Sequence, residues 1–453
     1  KIHVAIKDEI VKIAKLSQVS ELIYLAVDGV APFAKITQQR TRRYKSFMVK
    51  KMVNAVHEKH GEPCDKWDTN AISPGTSFMN RLMQYLGASL GAIQEATACQ
   101  VIFSGSNEPS EGEHKIIQYI KEEAEKVGQD ENNEKNKNNK NNKNNKNKVI
   151  YGLDADLIML SIISNVPDIH LLRESVHFGK VLKDRYLYLR IDPLRKALTD
   201  EIRSYILHPN TPSAKTPSAK ASQQITRRKG SSHKDHNQDD DPHHNQDHKK
   251  GQADIKTPND QQLIHDYVFL CFMMGNDFLP HLPALHIHLG GIEYLLELYA
   301  DAIHTEGYVD GLVQPDGQPR MPFLLYIFKQ LAQEESTMLH NFYQSYSRTK
   351  YREPAGLTPL QSELRKIDFL PIYKKTKDTV LFGKDGWETR YYQRFLCTED
   401  VFFEDRMTMV KNYLEGLVWT YKYYTKGCCD WHWYYRSTCA PTSRDIYRYL
   451  SNH

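Results

Sequence analysis

The seven cysteines of this 453-residue chain form no C-x-x-C pair and no metal-ligand spacing. Cys64, Cys99, Cys271, Cys397, Cys428, Cys429 and Cys439 therefore read as reduced thiols of an intracellular protein. Long apolar runs are missing too. The longest, around Tyr267 to Met274, is far too short to cross a bilayer, and no signal peptide is recognisable. A strong charge of one sign is also lacking: the net value is only +4. Overall charge therefore does not announce a polyanion ligand, and local patches must carry that claim. Hydrophobic residues make up 40%, a low share that two polar tracts account for. The chain opens on Lys1 inside a helical pattern (Ile2, Val4, Ile6, Ile10, Ile13), which reads as a piece whose true N-terminus lies upstream.

The polar tracts organise the rest. Residues 132–148 are an Asn/Lys run, and 212–259 form a Ser/Lys/His/Asp/Gln stretch without periodicity. Neither can bury enough apolar surface to offset ordering entropy, so both are expected to be unfolded. The histidines of the second tract (His233, His236, His243, His244, His248) read as solvated linker rather than as ligands. Between the tracts, apolar runs of strand length (22–27, 100–104, 149–153 and 168–172) alternate with helical patterns at about 33–60, 76–98, 112–127 and 156–164. Runs apolar on both faces fit buried parallel strands, so the order predicts an α/β fold with one parallel sheet flanked by helices. After residue 259 the pattern turns helical, with 265–274 and 291–300 as expected helices, and a Tyr/Trp-rich segment runs from about 386 to 435.

In open parallel sheets, ligands collect at the C-terminal strand edge. Acidic residues recur there: Asp28 after the first strand, Asp154 and Asp156 after the third, Glu111 and Glu113 at the helix after the second. A single Asp at a strand end is usually a helix cap. Five acids at one edge repel one another and require cations. All-oxygen clusters suit Mg²⁺ or Mn²⁺, and no His or Cys looks placed for zinc. Such ions would activate a water and stabilise the leaving oxygen of a phosphodiester. Asp277, in Gly275-Asn276-Asp277-Phe278, sits badly with the dipole at a helix C-terminus. A metal-linked role competes there with a simple turn.

Lys35, Gln39, Arg42 and Arg43 share one helical face at i, i+4, i+7 and i+8. The plain alternative is a solvated charged face. Its position seven residues after Asp28 favours a phosphate pocket beside the metal edge, and His114-Lys115 is expected to add positive potential. Near the C-terminus, Gly427 to Tyr435 concentrates aromatics, which suits either core packing or stacking on unpaired bases.

Together these stretches (LAVDGVAPFAKITQQRTRRYKS, EGEHKIIQYI, YGLDADLIML, FLCFMMGNDFLPHLPAL, YLEGLVWTYKYYTKGCCDWHWYY) resemble the Xrn family of 5′→3′ exoribonucleases, in family order. The resemblance implies a PIN/flap-endonuclease-like core and Mg²⁺-dependent, processive degradation of single-stranded RNA bearing a 5′-monophosphate. It implies metal binding by Asp28, Glu111, Glu113, Asp154, Asp156 and Asp277, and a 5′-phosphate pocket of Lys35, Gln39, Arg42 and Arg43. Either Trp431 or Trp433 would stack near the terminal nucleotide. It divides the chain into a nuclease core (1–131 and 149–211, with the 132–148 insert), a linker (212–259), a helical part of the core (260–345) and a second region with the Trp/Tyr cluster (346–453). Cytoplasm and nucleus stay equally open. Three departures stand out. A further metal-binding Asp and a His of the family's N-terminal segment have no counterpart. Pro109-Ser110 replaces Pro-Gly, and Arg436 to Pro441 replaces Pro-x-His-Tyr-Ala-Pro. An RNA-binding pseudo-nuclease and a DNA flap nuclease are the competing expectations.

Overall fold

The computed structural model describes residues 1–62, 67–132, 147–152, 154–177, 180–208, 256–373 and 378–453. Both polar tracts fall almost entirely outside these residues, as does Leu153.

Helix α1 (Ile2–Leu16) lays Ile6 and Ile10 against α3 (Ser77–Thr97), whose Met79, Leu82 and Leu86 form a small separate core. Thr76 caps α3 by accepting from the Met79 amide at 3.3 Å. Strand β1 (Leu22–Ala26) follows α1, and β2 (Gln100–Ser104) follows α3; they pair in parallel from Leu22↔Gln100 to Ala26↔Ser104. Helix α4 (Gly112–Asn132) packs on β1 and α3 on β2. The long α2 (Phe33–Lys59) leaves the end of β1.

Strand β3 (Lys148–Tyr151) pairs in parallel with β4 (Ile169–His177), through α5 (Asp156–Ile163). Strand β5 (Lys180–Arg190) then returns antiparallel to β4 and leads into α6 (Ile191–Leu207). The expectation of a single parallel sheet is thus corrected. Two sheets of two and three strands form, and no ladder joins them among the described residues. The first three strands have only four or five residues each. Strand β5 gave no apolar-run signal because it is an edge strand with exposed Leu187 and Tyr188.

The remainder is helical: α7 (Asp260–Phe272), α8 (Gly291–Glu306), α9 (Met321–Arg348), α10 (Pro359–Asp368), α11 (Leu370–Tyr373), α12 (Trp387–Leu396), α13 (Phe403–Lys426) and α14 (Ser443–Ser451). Asn259 caps α7, accepting from the Gln262 amide at 2.9 Å. One core runs from Ile117, Ile150 and Leu160 through Phe269 and Leu331 to Tyr413, Tyr423 and Leu450. Buried Asp266 in α7 anchors the loop before α9, accepting from the Leu312 and Val313 amides (2.8 Å each) and the Tyr299 hydroxyl (2.6 Å). Among the described residues, no helix is long and apolar enough to cross a membrane.

Candidate active site

The carboxylates gather where β1, β3, α2, α4, α5 and the turn after α7 meet. Asp28 follows β1, and its Oδ1 accepts from the Gly112 amide at 2.7 Å, fixing the first turn of α4. Gly112 must be small there, since a Cβ would come within 3.4 Å of both Asp28 Oδ1 and the Ala26 carbonyl. That turn carries Glu111, 5% exposed, and Glu113. Asp154 Oδ1 accepts from the Asp156 amide at 3.1 Å, opening α5. Asp277 rides on a turn closed by Asn276, whose Oδ1 accepts from the Phe278 and Leu279 amides (2.8 and 3.0 Å). Gly275 in that turn has φ +92°, and a side chain there would meet His281.

Lys35, in the first turn of α2, is 7% exposed and pairs with both Glu111 and Asp277, reaching Asp277 Oδ2 at 2.6 Å. Gln38 Nε2 donates to Asp277 Oδ1 at 3.0 Å. The basic face is thereby divided. Lys35 lies inside the acid cluster, whereas Gln39 is half-buried and Arg42 and Arg43 are exposed on α2. Arg43 donates to Gln39 Oε1 at 3.3 Å.

Electrostatics show an excess of negative charge. Burial, then the charges of Glu111 and Asp154, push the Glu113 carboxyl up to about 8. Burial, then Asp154 and Asp277, push Asp156 up to about 6. For Lys35, burial opposes the charge, yet Glu111 and Asp277 hold its ammonium above the ordinary lysine range. Six carboxylates with one ammonium touching them, among the described residues, fit a hard divalent cation.

Two expectations about α4 need correction. His114 adds no positive potential: burial lowers its imidazole to about 3, and its ring packs 4.1 Å from that of Tyr423. As a neutral ring it is competent to ligate. Its nitrogen lies in one group with Glu111 and Glu113, their ligand atoms within 4.8 Å of one another. The expectation that no histidine is placed for a metal thus fails, because the helix carries His114 next to Glu113. Lys115 turns to the strand ends rather than into the cluster, although its ammonium still lies within the field of Asp28. Its Nζ donates to the Val27 and Gly105 carbonyls at 2.8 Å each, tying α4 to the ends of β1 and β2.

The aromatic segment docks beside α2. The Trp431 carbonyl accepts from the Phe33 amide at 2.9 Å, satisfying a helix N-terminus whose Pro32 cap offers no side-chain acceptor. Trp431 keeps 38% of its surface exposed. Trp433 instead stacks on Trp419 at 5.0 Å, and Trp419 stacks on Tyr423 at 5.0 Å. Tyr423 donates to Glu111 Oε2 at 2.8 Å, and the Tyr424 hydroxyl lies beside Asp156. Sequence reasoning passed over Gln38, Tyr423 and Tyr424. The i, i+4 spacing of Trp419 and Tyr423 was the available signal that both share a face.

Residues 1–175 match the family model for the XRN 5′-3′ exonuclease N-terminus, and residues 257–353 and 363–450 match that for the Xrn1 helical domain. The chain belongs to the Xrn family. It is 26% identical over 545 residues to 5′-3′ exoribonuclease 2 of Gallus gallus, covering 98% of this chain and 52% of that protein. It is 24% identical to 5′-3′ exoribonuclease 1 of Schizosaccharomyces pombe (99% and 38%) and 27% identical to 5′-3′ exoribonuclease 1 of Homo sapiens (94% and 24%). The chain thus spans about half the length of these relatives or less.

Proposed function

We propose that this chain carries the catalytic region of a processive 5′→3′ exoribonuclease acting on 5′-monophosphorylated RNA. The observation that carries it is the convergence of Asp28, Glu111, Glu113, Asp154, Asp156 and Asp277 around Lys35, at the foot of the helix that presents Gln39, Arg42 and Arg43. A pair of Mg²⁺ or Mn²⁺ ions held by these carboxylates would generate hydroxide from water and offset the charge of the leaving oxygen. The chain's own residues do the rest. Arg42 and Arg43 attract the terminal phosphate with charge-assisted hydrogen bonds, and Lys35 marks the boundary between phosphate and carboxylates. The exposed face of Trp431 receives the first base by stacking. The paired parallel strands and their helices support a PIN-like core. The names of the relatives support RNA as the substrate.

The test compares matched RNAs bearing 5′-phosphate, 5′-hydroxyl and capped ends, with and without EDTA. Selective decay of the 5′-phosphate RNA, abolished by chelator, is expected. Equal decay of all three, decay that survives EDTA, or preference for a DNA flap would sink the reading. Asp154→Ala should lower turnover by roughly two to three orders of magnitude, on the scale of lost electrostatic catalysis, while retaining RNA binding.

A further inference from the structure

Two neighbouring residues near the end of α13 send hydroxyls into the acid cluster, each to a different segment. Tyr423 donates to Glu111 Oε2 at 2.8 Å, at the start of α4. The Tyr424 hydroxyl lies beside Asp156, in the first turn of α5, close enough for the two groups to interact electrostatically. Successive helical residues diverge by roughly 100°, so one turn of α13 can hold both segments at once.

We propose that Tyr423 and Tyr424 are positioning residues for the carboxylate cluster, acting through Glu111 and Asp156, and that they set its affinity for divalent cations. This deepens the nuclease reading above and rests on it. A phenol is suited to the task because it donates a hydrogen bond without bringing positive charge. Lys35 neutralises the carboxylates it touches, whereas the tyrosines orient theirs and leave the negative charge available to a cation. Glu111 shows both modes, with Oε1 facing Lys35 and Oε2 held by Tyr423. Outer hydrogen bonds of this kind fix ligand orientation in metal sites.

The donors are themselves immobilised. The Tyr423 ring stacks on Trp419 and meets Phe278, the neighbour of Asp277, edge-on at 5.3 Å. His114 packs on its remaining side at 4.1 Å. Tyr424 meets Phe272 edge-on at 5.1 Å. One residue further, the Thr425 carbonyl accepts from Lys121 Nζ at 2.9 Å, tying α4 to α13 a second time. The Trp/Tyr-rich segment therefore has a task at its helical end separate from any contact with RNA.

Mn²⁺ titration followed by electron paramagnetic resonance, on the wild-type chain and on Tyr423→Phe and Tyr424→Phe, tests the inference. Each variant is expected to bind Mn²⁺ about tenfold more weakly. The Mg²⁺ needed for half-maximal RNA hydrolysis should rise in parallel, with KM for RNA at saturating metal unchanged. Tyr421→Phe, a change on the same helix as Tyr423 that loses a 2.6 Å bond to His265 of α7, should keep wild-type Mn²⁺ affinity. If one variant misfolds, the other decides, since the two hydroxyls face carboxylates on separate helices. Wild-type Mn²⁺ affinity in the variants of an active chain overturns the positioning role. A wild-type chain that neither binds Mn²⁺ nor hydrolyses RNA overturns the nuclease reading beneath it.

Discussion

Ser110 has φ +93°, a region that L side chains rarely adopt. Its amide donates to the Val30 carbonyl at 2.8 Å and its carbonyl accepts from Gly29 at 2.9 Å, so the strained residue braces the segment between Asp28 and Glu111. Replacing it with glycine removes the Cβ clash and retains both bonds. Ser110→Gly is expected to raise stability by on the order of 1 kcal/mol, read from denaturant midpoints. Trp431 and Trp433 separate at this same scale. Trp431→Ala should weaken capture of the terminal nucleotide by ~1–3 kcal/mol, seen as a higher KM. Trp433→Ala should act mainly on thermal stability, because that ring packs against Trp419. The acidic positions could be read from the sequence because strand ends announce themselves. Lys35 was harder: helical spacing put it on a face with Gln39, Arg42 and Arg43, but spacing does not say how deep a face is buried. Its partner Asp277 lies 242 residues away, a distance no local pattern spans.

At the scale of elements, the helix ends decide more than the helix middles. The N-terminus of α14 is buried, and its first amides have no water to turn to. Glu335 of α9 answers them, accepting from Ser443 at 2.8 Å and Arg444 at 3.3 Å. Glu335→Ala would leave two buried donors unsatisfied, at ~1–3 kcal/mol each. A loss of about 3 kcal/mol is expected in chemical denaturation. Helices α2 and α3 were legible nearly to their ends because amphipathic runs of 27 and 21 residues leave little ambiguity. Parallel pairing was legible, but the division into two sheets and the antiparallel β5 were not. Strand β5 mixes charges with apolar residues along Lys180–Arg190, and pairing partners follow from tertiary packing rather than from composition. The N-cap residue Asn259 falls inside the 212–259 tract read as linker, because a compositional boundary is coarser than a single capping residue.

For the molecule as a whole, the acid cluster makes stability depend on pH and on cations together. Glu113 has its carboxyl raised from 4.5 to about 8, and Asp156 from 3.8 to about 6. Both hold their protons more tightly folded than unfolded. The native state therefore binds more protons across those windows, and its stability falls as pH rises through them. In EDTA, the melting temperature should decline as pH rises from about 6.5 towards 8, where Glu113 still titrates. Below 6.5 the buried neutral His114 opposes the carboxylates. With saturating Mg²⁺ the decline should vanish or reverse, since the ion binds only the ionised, folded cluster. Melts that show the same pH profile with and without the ion would contradict this coupling.

The shared core has one more consequence. Ile150, Leu160 and Ile202 from the first half pack in the same cluster as Phe269, Leu285 and Tyr423 from the second. The ties from Lys35 to Asp277, Tyr423 to Glu111 and Lys121 to Thr425 all cross the interval 209–255. These contacts predict that the two halves can assemble without covalent continuity through that interval. Two separate polypeptides, 1–208 and 256–453, should complement each other when co-expressed, copurifying as a one-to-one complex that binds Mn²⁺. Neither half made by itself should, for each would carry only part of the carboxylate set and one bare wall of the interior.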